Sequence, residues 1–158
     1  MMRTVITPEQ TVALAFGEGN YLSADIISSA DIAAAQHRYI VPIVGEELLD
    51  MILDGDYSEL VGEYVAPALA YATRLIVQPA INLRMGDSGL VAPRGEAMES
   101  PDKSAVEALM GSLKIRTRQL LKRLSAFLNQ NADSYPEYKP ESNVLNRCSI
   151  DGGFVQIF

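Results

Sequence analysis

The sequence is poor in the residues that build disulfides, zinc sites and nucleophile–histidine pairs. It has one cysteine, Cys148, one histidine, His37, and no tryptophan among 158 residues. A single cysteine cannot form an internal disulfide, which favours a reducing compartment. Zinc sites take three or four nitrogen, sulfur or oxygen ligands, and His37 has no second histidine or cysteine beside it. We therefore expect a non-enzymatic protein with no catalytic residue, no metal site and no cofactor.

Long hydrophobic runs are also scarce. The most apolar stretch, Val65–Thr73, is interrupted by Arg74, whereas about 20 apolar residues are needed to cross a bilayer. Such a stretch is typical of a buried core helix, and the first residues lack the apolar centre of a signal peptide. The sequence predicts a protein that is not secreted and does not bind or span a membrane.

Positive charge is scarce in the first hundred residues. Residues 1–100 hold 5 Lys+Arg and 14 Asp+Glu, whereas residues 101–158 hold 8 and 6. The net charge of −7 argues against a general nucleic-acid-binding protein. A chain with charges separated in this way is suited to head-to-tail packing between copies.

Helical periodicity dominates the rest of the sequence. It predicts a mainly α fold, a compact bundle of about four to five helices in one domain, 1–158. Within it we expect an N-terminal helix in 1–22, a helical core over 23–131 that opens at Ser23 or Asp25, and an extended C-terminal tail over 132–158.

Prolines and glycines set the expected ends of the core helices. Pro42 and Gly45 are predicted to end the second helix. In the apolar helix that follows Ser58, Pro67 marks either a break or the first turn of a new helix, and Pro79 marks a kink or an end. That helix is apolar nearly all round, so it should lie at the centre of the domain. A last long amphipathic helix is predicted near Ser104–Asn129, with Thr117 filling a gap in its apolar stripe.

Two further segments have turn or strand character. Gly86-Asp87-Ser88-Gly89 predicts a small β-hairpin or exposed loop near 82–92, with Asp87, Ser88 and Gly89 as candidate contacts. The same residues match the nucleophile loop of trypsin-like proteases, but that fold needs two β-barrels and a longer chain, so a turn is favoured. Residues 152–158 predict a short C-terminal strand, with Phe154, Ile157 and Phe158 as candidate contacts.

Seven carboxylates lie between residues 46 and 63 without a basic residue among them. They indicate either a solvated acidic face or an acidic docking surface. The candidate contact residues in this segment are Glu46, Glu47, Asp50 and Asp54.

Five cations lie within ten residues of the last long helix. Lys114, Arg118 and Lys122 follow one line at i, i+4, i+8, and Arg116 and Arg123 flank it. Like charges in this arrangement repel unless something offsets them. The segment is therefore either a solvated face or a surface for a neighbouring copy, an acidic partner or passing DNA phosphates.

The order of several short motifs resembles small proteins of tailed-phage and prophage head modules. The main motif is Tyr-Ile-x-Pro-x-x-Gly-x-x-Leu, here Tyr39–Leu48, between an alanine-rich helix and a short helix. The other shared features follow along the chain to Asn131: Ala68-Leu69-Ala70, Pro79, Asn82, Asp87, Gly89, Phe127 and Leu128. The order is similar to an uncharacterised Bacteroidetes prophage family, itself similar to head–tail connector (head completion, adaptor) proteins.

The resemblance implies a structural role in virion assembly. Connector proteins of this type are α-helical, form rings below the portal and extend the DNA channel. It implies self-association in a ring, contact with a portal or other phage head or tail proteins, and a place in the bacterial cytoplasm during assembly and then in the virion. The alternative is a helical protein-binding adaptor or regulator that acts through its acidic face.

Overall fold

The computed structural model describes residues 2–17, 22–87 and 103–147, with the backbone alone at 83–87. These ranges contain five helices and no strand, so the predicted mainly α fold is confirmed. The helices are α1 (Pro8–Ala15), α2 (continuous through Ser29–Ala35, Gln36–Ile40 and Val41–Val44), α3 (Glu46–Leu53), α4 (continuous through Ser58–Leu60, Val61–Val65 and Ala66–Asp87) and α5 (Lys103–Gln130).

Capping boxes start the first two helices. Thr7 and Gln10 cap α1 as a reciprocal pair, and Ser28 and Asp31 do the same for α2. The predicted start at Ser23 or Asp25 is a short 3₁₀ turn, Ala24–Ile26, instead. The helix begins later because the Ser28–Asp31 pair satisfies the backbone N–H groups at its true first turn.

Pro42 and Pro79 do not end the helices that contain them, whereas Pro67 lies in the first turn of the regular α segment Ala66–Asp87, as one of the sequence alternatives predicted. Helix α2 continues through Pro42 to Val44, and α4 continues through Pro67 and Pro79 to Asp87. A π-turn precedes each of the first two prolines. Gln36–Ile40 ends two residues before Pro42, and Val61–Val65 ends two residues before Pro67. Proline has no N–H and cannot donate the i→i−4 hydrogen bond, and the wider π-turn is the helix irregularity found beside it. Gly45, at φ 82°, ends α2 and separates it from α3.

Helix α4 forms the centre of the bundle and packs against α1, α2 and α5. Ala68, Leu69, Ala70 and Ala72 are all fully buried, which confirms the predicted central helix. Residues 58–82 are long and apolar enough to cross a membrane by length and composition alone, and half of their most apolar stretch is buried inside the protein.

The hairpin predicted near 82–92 is wrong in its first half, because α4 runs on as a helix to Asp87. Leu83–Asp87 retain helical backbone where the hairpin prediction required an extended strand. The other candidate contacts of this segment, Ser88 and Gly89, lie outside the described residues, as do Phe154, Ile157 and Phe158 of the predicted C-terminal strand.

The segment after α5 differs from the extended tail that the sequence predicted. It folds into three 3₁₀ turns, Ala132–Ser134, Pro140–Ser142 and Val144–Asn146. The fully buried Asn143 fixes it to α5, because its Nδ2 donates to Ser125 Oγ at 2.8 Å. The chain therefore folds back against the C-terminal end of α5, between Ser125 and Asn129, and we call residues 132–147 the returning segment.

Candidate interaction surface

Helices α4 and α5 pack as an antiparallel pair joined by two arginine–tyrosine contacts. The Arg123 guanidinium lies 4.5 Å from the centroid of the Tyr64 ring, and that of Arg116 lies 5.4 Å from the Tyr71 ring. The two tyrosines are seven residues apart on α4, and the two arginines are seven residues apart, in the opposite order, on α5. Both arginines therefore contribute to the packing of the monomer through cation–π attraction.

Arg123 also binds backbone that a proline leaves without its usual donor. In a regular helix residue 67 would donate to the carbonyl of Glu63, but Pro67 has no N–H. Arg123 Nη1 donates to that carbonyl at 3.3 Å. The Tyr64 ring in turn stacks on Phe127, with 4.1 Å between centroids. Arg123 thus links the irregular first turns of α4 to the C-terminal half of α5.

The other three cations of the predicted surface point to solvent. Lys114, Arg118 and Lys122, which we call the basic row, are all exposed. Within the described ranges neither an ion pair nor a side-chain hydrogen bond engages them. Ile115 lies beside the row with 57% of its surface exposed. The structure therefore divides the five predicted cations into two packing residues and three available ones.

The predicted acidic residues lie on the exposed side of α3. Glu46, Asp50 and Asp54, which we call the acidic row, follow the same i, i+4, i+8 spacing as the basic row, and all are exposed. Asp54 pairs with Arg3 at 2.6 Å. For Glu46 and Asp50 no partner is found within the described part of the chain.

Glu47 lies off the acidic row and has an internal role. It accepts a hydrogen bond from Lys139 Nζ, which ties the N-terminus of α3 to the segment after α5. This hydrogen bond, assisted by the charge of Glu47, raises the pKa of Lys139. Glu47 is therefore engaged in an exposed ion pair within the monomer, as Asp54 is.

Comparison with known proteins identifies one family. The model of a family of unknown function, DUF6712, matches residues 25–147. The chain belongs to this family. No curated protein and no solved structure matches it.

The DUF6712 match extends from the turn before α2 to the last 3₁₀ turn. It includes the basic row, the acidic row and the returning segment, and it leaves α1 outside. The two charged rows and the scaffold that separates them therefore belong to the family region of the chain.

The remaining candidate residues are not gathered into a metal-binding group in the described residues. His37 is exposed on the π-turn of α2, and Cys148 lies outside the described ranges. No group of three histidine, cysteine or acidic side chains in those ranges could hold a metal ion. Two surface depressions of about 190 Å³ are lined without histidine or cysteine.

The sequence interpretation missed the aromatic cluster that joins α4, α5 and the returning segment. Tyr135 lies 4.9 Å from Tyr57 and 6.1 Å from Phe127, measured between ring centroids. Tyr57 also donates a hydrogen bond to Glu137 Oε2 at 2.8 Å. A signal was present for α4, because Tyr64 and Tyr71 are seven residues apart, two turns along one side of a helix. Tyr57, which precedes α4 in a left-handed conformation, had no such signal.

Proposed function

We propose that this chain is a non-enzymatic structural assembly protein, a phage head–tail connector-like subunit that oligomerises beneath a portal. It would act in the bacterial cytoplasm during assembly and then in the virion. The observation that carries the proposal is the basic row, three exposed cations on one helix without a partner in the described monomer.

The basic row is unfavourable for an isolated chain. Lys114, Arg118 and Lys122 repel one another at i, i+4 spacing, and no carboxylate lies between Glu107 and Asp133 in the sequence to offset them. A negatively charged surface outside the monomer would remove this repulsion. Assembly with another protein chain provides such a surface without requiring any chemistry at the site.

The motif that carries the phage resemblance forms part of the scaffold. Within Tyr39–Leu48, the side chains of Ile40, Val44 and Leu48 are buried, and Gly45 makes the corner between α2 and α3. This corner directs α3 so that its acidic row faces outward. The resemblance therefore concerns residues that shape the fold and place a charged surface, which supports an assembly role.

The proposal predicts a portal gene in the neighbourhood of this gene, and it is tested by adding the purified portal protein from that neighbourhood to this chain. We expect ring-shaped or portal-bound particles by electron microscopy, and a rise in mass by light scattering. Reversal of Arg118 and Lys122 to Glu should reduce this assembly while the circular dichroism spectrum stays unchanged. Lys103→Glu, a reversal at the start of the same helix, is the control.

Three results would contradict the proposal. One is a chain that stays monomeric in the presence of the portal. Another is a gene neighbourhood without portal, capsid or tail genes. A defined one-to-one complex with a different protein, without a ring, would favour the adaptor alternative.

A further inference from the structure

We infer that the basic row on α5 of one copy docks along the acidic row on α3 of a second copy of this chain. This inference rests on the proposed assembly function and names the surfaces that would join neighbouring subunits. It predicts a contact that does not involve the portal, so the two ideas can fail separately.

The two rows match in length and spacing. Each has three charges at i, i+4, i+8: the basic row lies wholly on α5, whereas Glu46 and Asp50 lie on α3 and Asp54 is its C-cap residue. At 1.5 Å per residue, each row extends about 12 Å along its helix. Two helices laid side by side can therefore bring all three pairs of opposite charges together, with Asp50 and Arg118 at the middle.

The charges are available for such a contact. Lys114, Arg118, Lys122, Glu46 and Asp50 have no ion-pair partner within the described ranges. Asp54 pairs with Arg3, but 61% of its side-chain surface remains exposed. An exposed ion pair of this kind is weak and can accept or exchange a further partner.

Apolar surface lies beside the charges on both helices. Ile115, 57% exposed, precedes Arg118 by one helical turn, and the half-buried Met51 follows Asp50 on α3. An interface needs apolar contact at its centre as well as charge complementarity at its rim. The exposed isoleucine is an apolar group that a second copy would cover.

A second copy of the chain is favoured over DNA as the partner of the basic row. The chain has a net charge of −7, which disfavours the approach of a phosphate backbone. The rows also lie on different helices, and no ion pair joins them within the described monomer. Each copy therefore offers both halves of a complementary pair to its neighbours.

The test uses charge reversal at the middle of each row in the full-length chain. Arg118→Glu and Asp50→Arg should each weaken self-association by about tenfold, measured by analytical ultracentrifugation. A mixture of the two variants should recover association, because the glutamate introduced on α5 of one then meets the arginine introduced on α3 of the other. Lys103→Glu and Asp133→Arg are the controls, since they make the same charge changes at other exposed positions.

Salt and DNA give two further readouts. Wild-type association should weaken between about 0.1 M and about 1 M salt, where the screening length falls from about 10 Å to about 3 Å. The inference is overturned if the wild type stays monomeric at all protein concentrations, or if both variants associate like the wild type. It is also overturned if the mixture does not recover, or if Arg118→Glu abolishes binding to a DNA duplex and leaves self-association unchanged. Portal binding by a chain that is monomeric alone would reject this contact and retain the proposed function.

Discussion

Asn143 is a fully buried polar side chain whose hydrogen-bonding groups are satisfied by three partners. Its Nδ2 donates to Ser125 Oγ at 2.8 Å and to the Tyr138 hydroxyl at 2.7 Å, and its Oδ1 accepts from the backbone of Leu145 at 2.9 Å. The Tyr138 hydroxyl in turn donates a hydrogen bond to Asn129 Oδ1 on α5 at 2.6 Å. One residue thus holds the returning segment against α5.

We expect Asn143→Ala to lower the free energy of unfolding by about 2–3 kcal/mol, because it leaves buried groups on both elements without partners. The measurement is urea denaturation followed by circular dichroism. Asn131→Ala is the matched control, since the Asn131 side chain donates one half-buried hydrogen bond, to the Phe127 carbonyl. Equal losses for the two variants would show that Asn143 does not anchor the segment.

Tyr57 combines backbone strain with a side-chain hydrogen bond. It adopts φ 57°, a left-handed conformation that is unfavourable for a bulky residue. Its hydroxyl donates to Glu137, and this hydrogen bond, with a smaller contribution from burial, raises the pKa of Tyr57. The aromatic contact with Tyr135 and the hydrogen bond help to hold the residue in this conformation.

The raised pKa of Tyr57 predicts a loss of stability at alkaline pH. Its contribution is fully present below the unfolded-state pKa of about 10 and is lost as the pH rises through the higher folded-state pKa. Tyr57→Phe should therefore lose stability less steeply than the wild type above about pH 10. Thermal unfolding measured from neutral to alkaline pH checks this, and parallel curves for the two proteins would contradict it.

At the scale of the helix, the sequence predicted the amphipathic elements well and their irregular turns poorly. The predicted helix near Ser104–Asn129 is Lys103–Gln130 in the structure, and Thr117 is buried in its apolar stripe as expected. Local periodicity is sufficient for such a helix. The π-turns before Pro42 and Pro67 were not predicted, because the partner of a freed carbonyl can lie on a distant element, as Arg123 does.

We expect Arg123→Ala to lower the free energy of unfolding by about 1–2 kcal/mol, through loss of the Tyr64 contact and of the hydrogen bond to the Glu63 carbonyl. Lys122→Ala, at the adjacent exposed position, should change it by no more than about 0.5 kcal/mol. Urea denaturation of both variants measures the difference.

A double-mutant cycle with Pro67→Ala separates the two roles of Arg123. Alanine at position 67 supplies an N–H to the Glu63 carbonyl, so the cost of Arg123→Ala in that background should fall by about 0.5–1 kcal/mol. Additive effects would mean that Arg123 acts through the tyrosine ring alone.

At the scale of the whole molecule, the sequence predicted which segments are charged but not which charges are available. All five cations of α5 fit one basic surface when only their spacing along the helix is considered. The structure assigns Arg116 and Arg123 to the contact with α4, because the register of the antiparallel pair places two tyrosines under them. That register depends on contacts between residues 45 and 59 positions apart, which local patterns do not contain.

The position of α4 at the centre of the molecule leads to a prediction that also distinguishes a core helix from a membrane-spanning one. Ala70 is fully buried, whereas Ala80, on the same helix, is exposed. In a close-packed core the larger side chain of Ala70→Leu should cost about 1–3 kcal/mol, whereas Ala80→Leu should change stability by no more than about 0.5 kcal/mol. In a helix surrounded by lipid, leucine is at least as favourable as alanine at either position. Denaturation of both variants in detergent-free buffer provides the measurement, and an Ala70→Leu protein as stable as the wild type would contradict the central packing of α4.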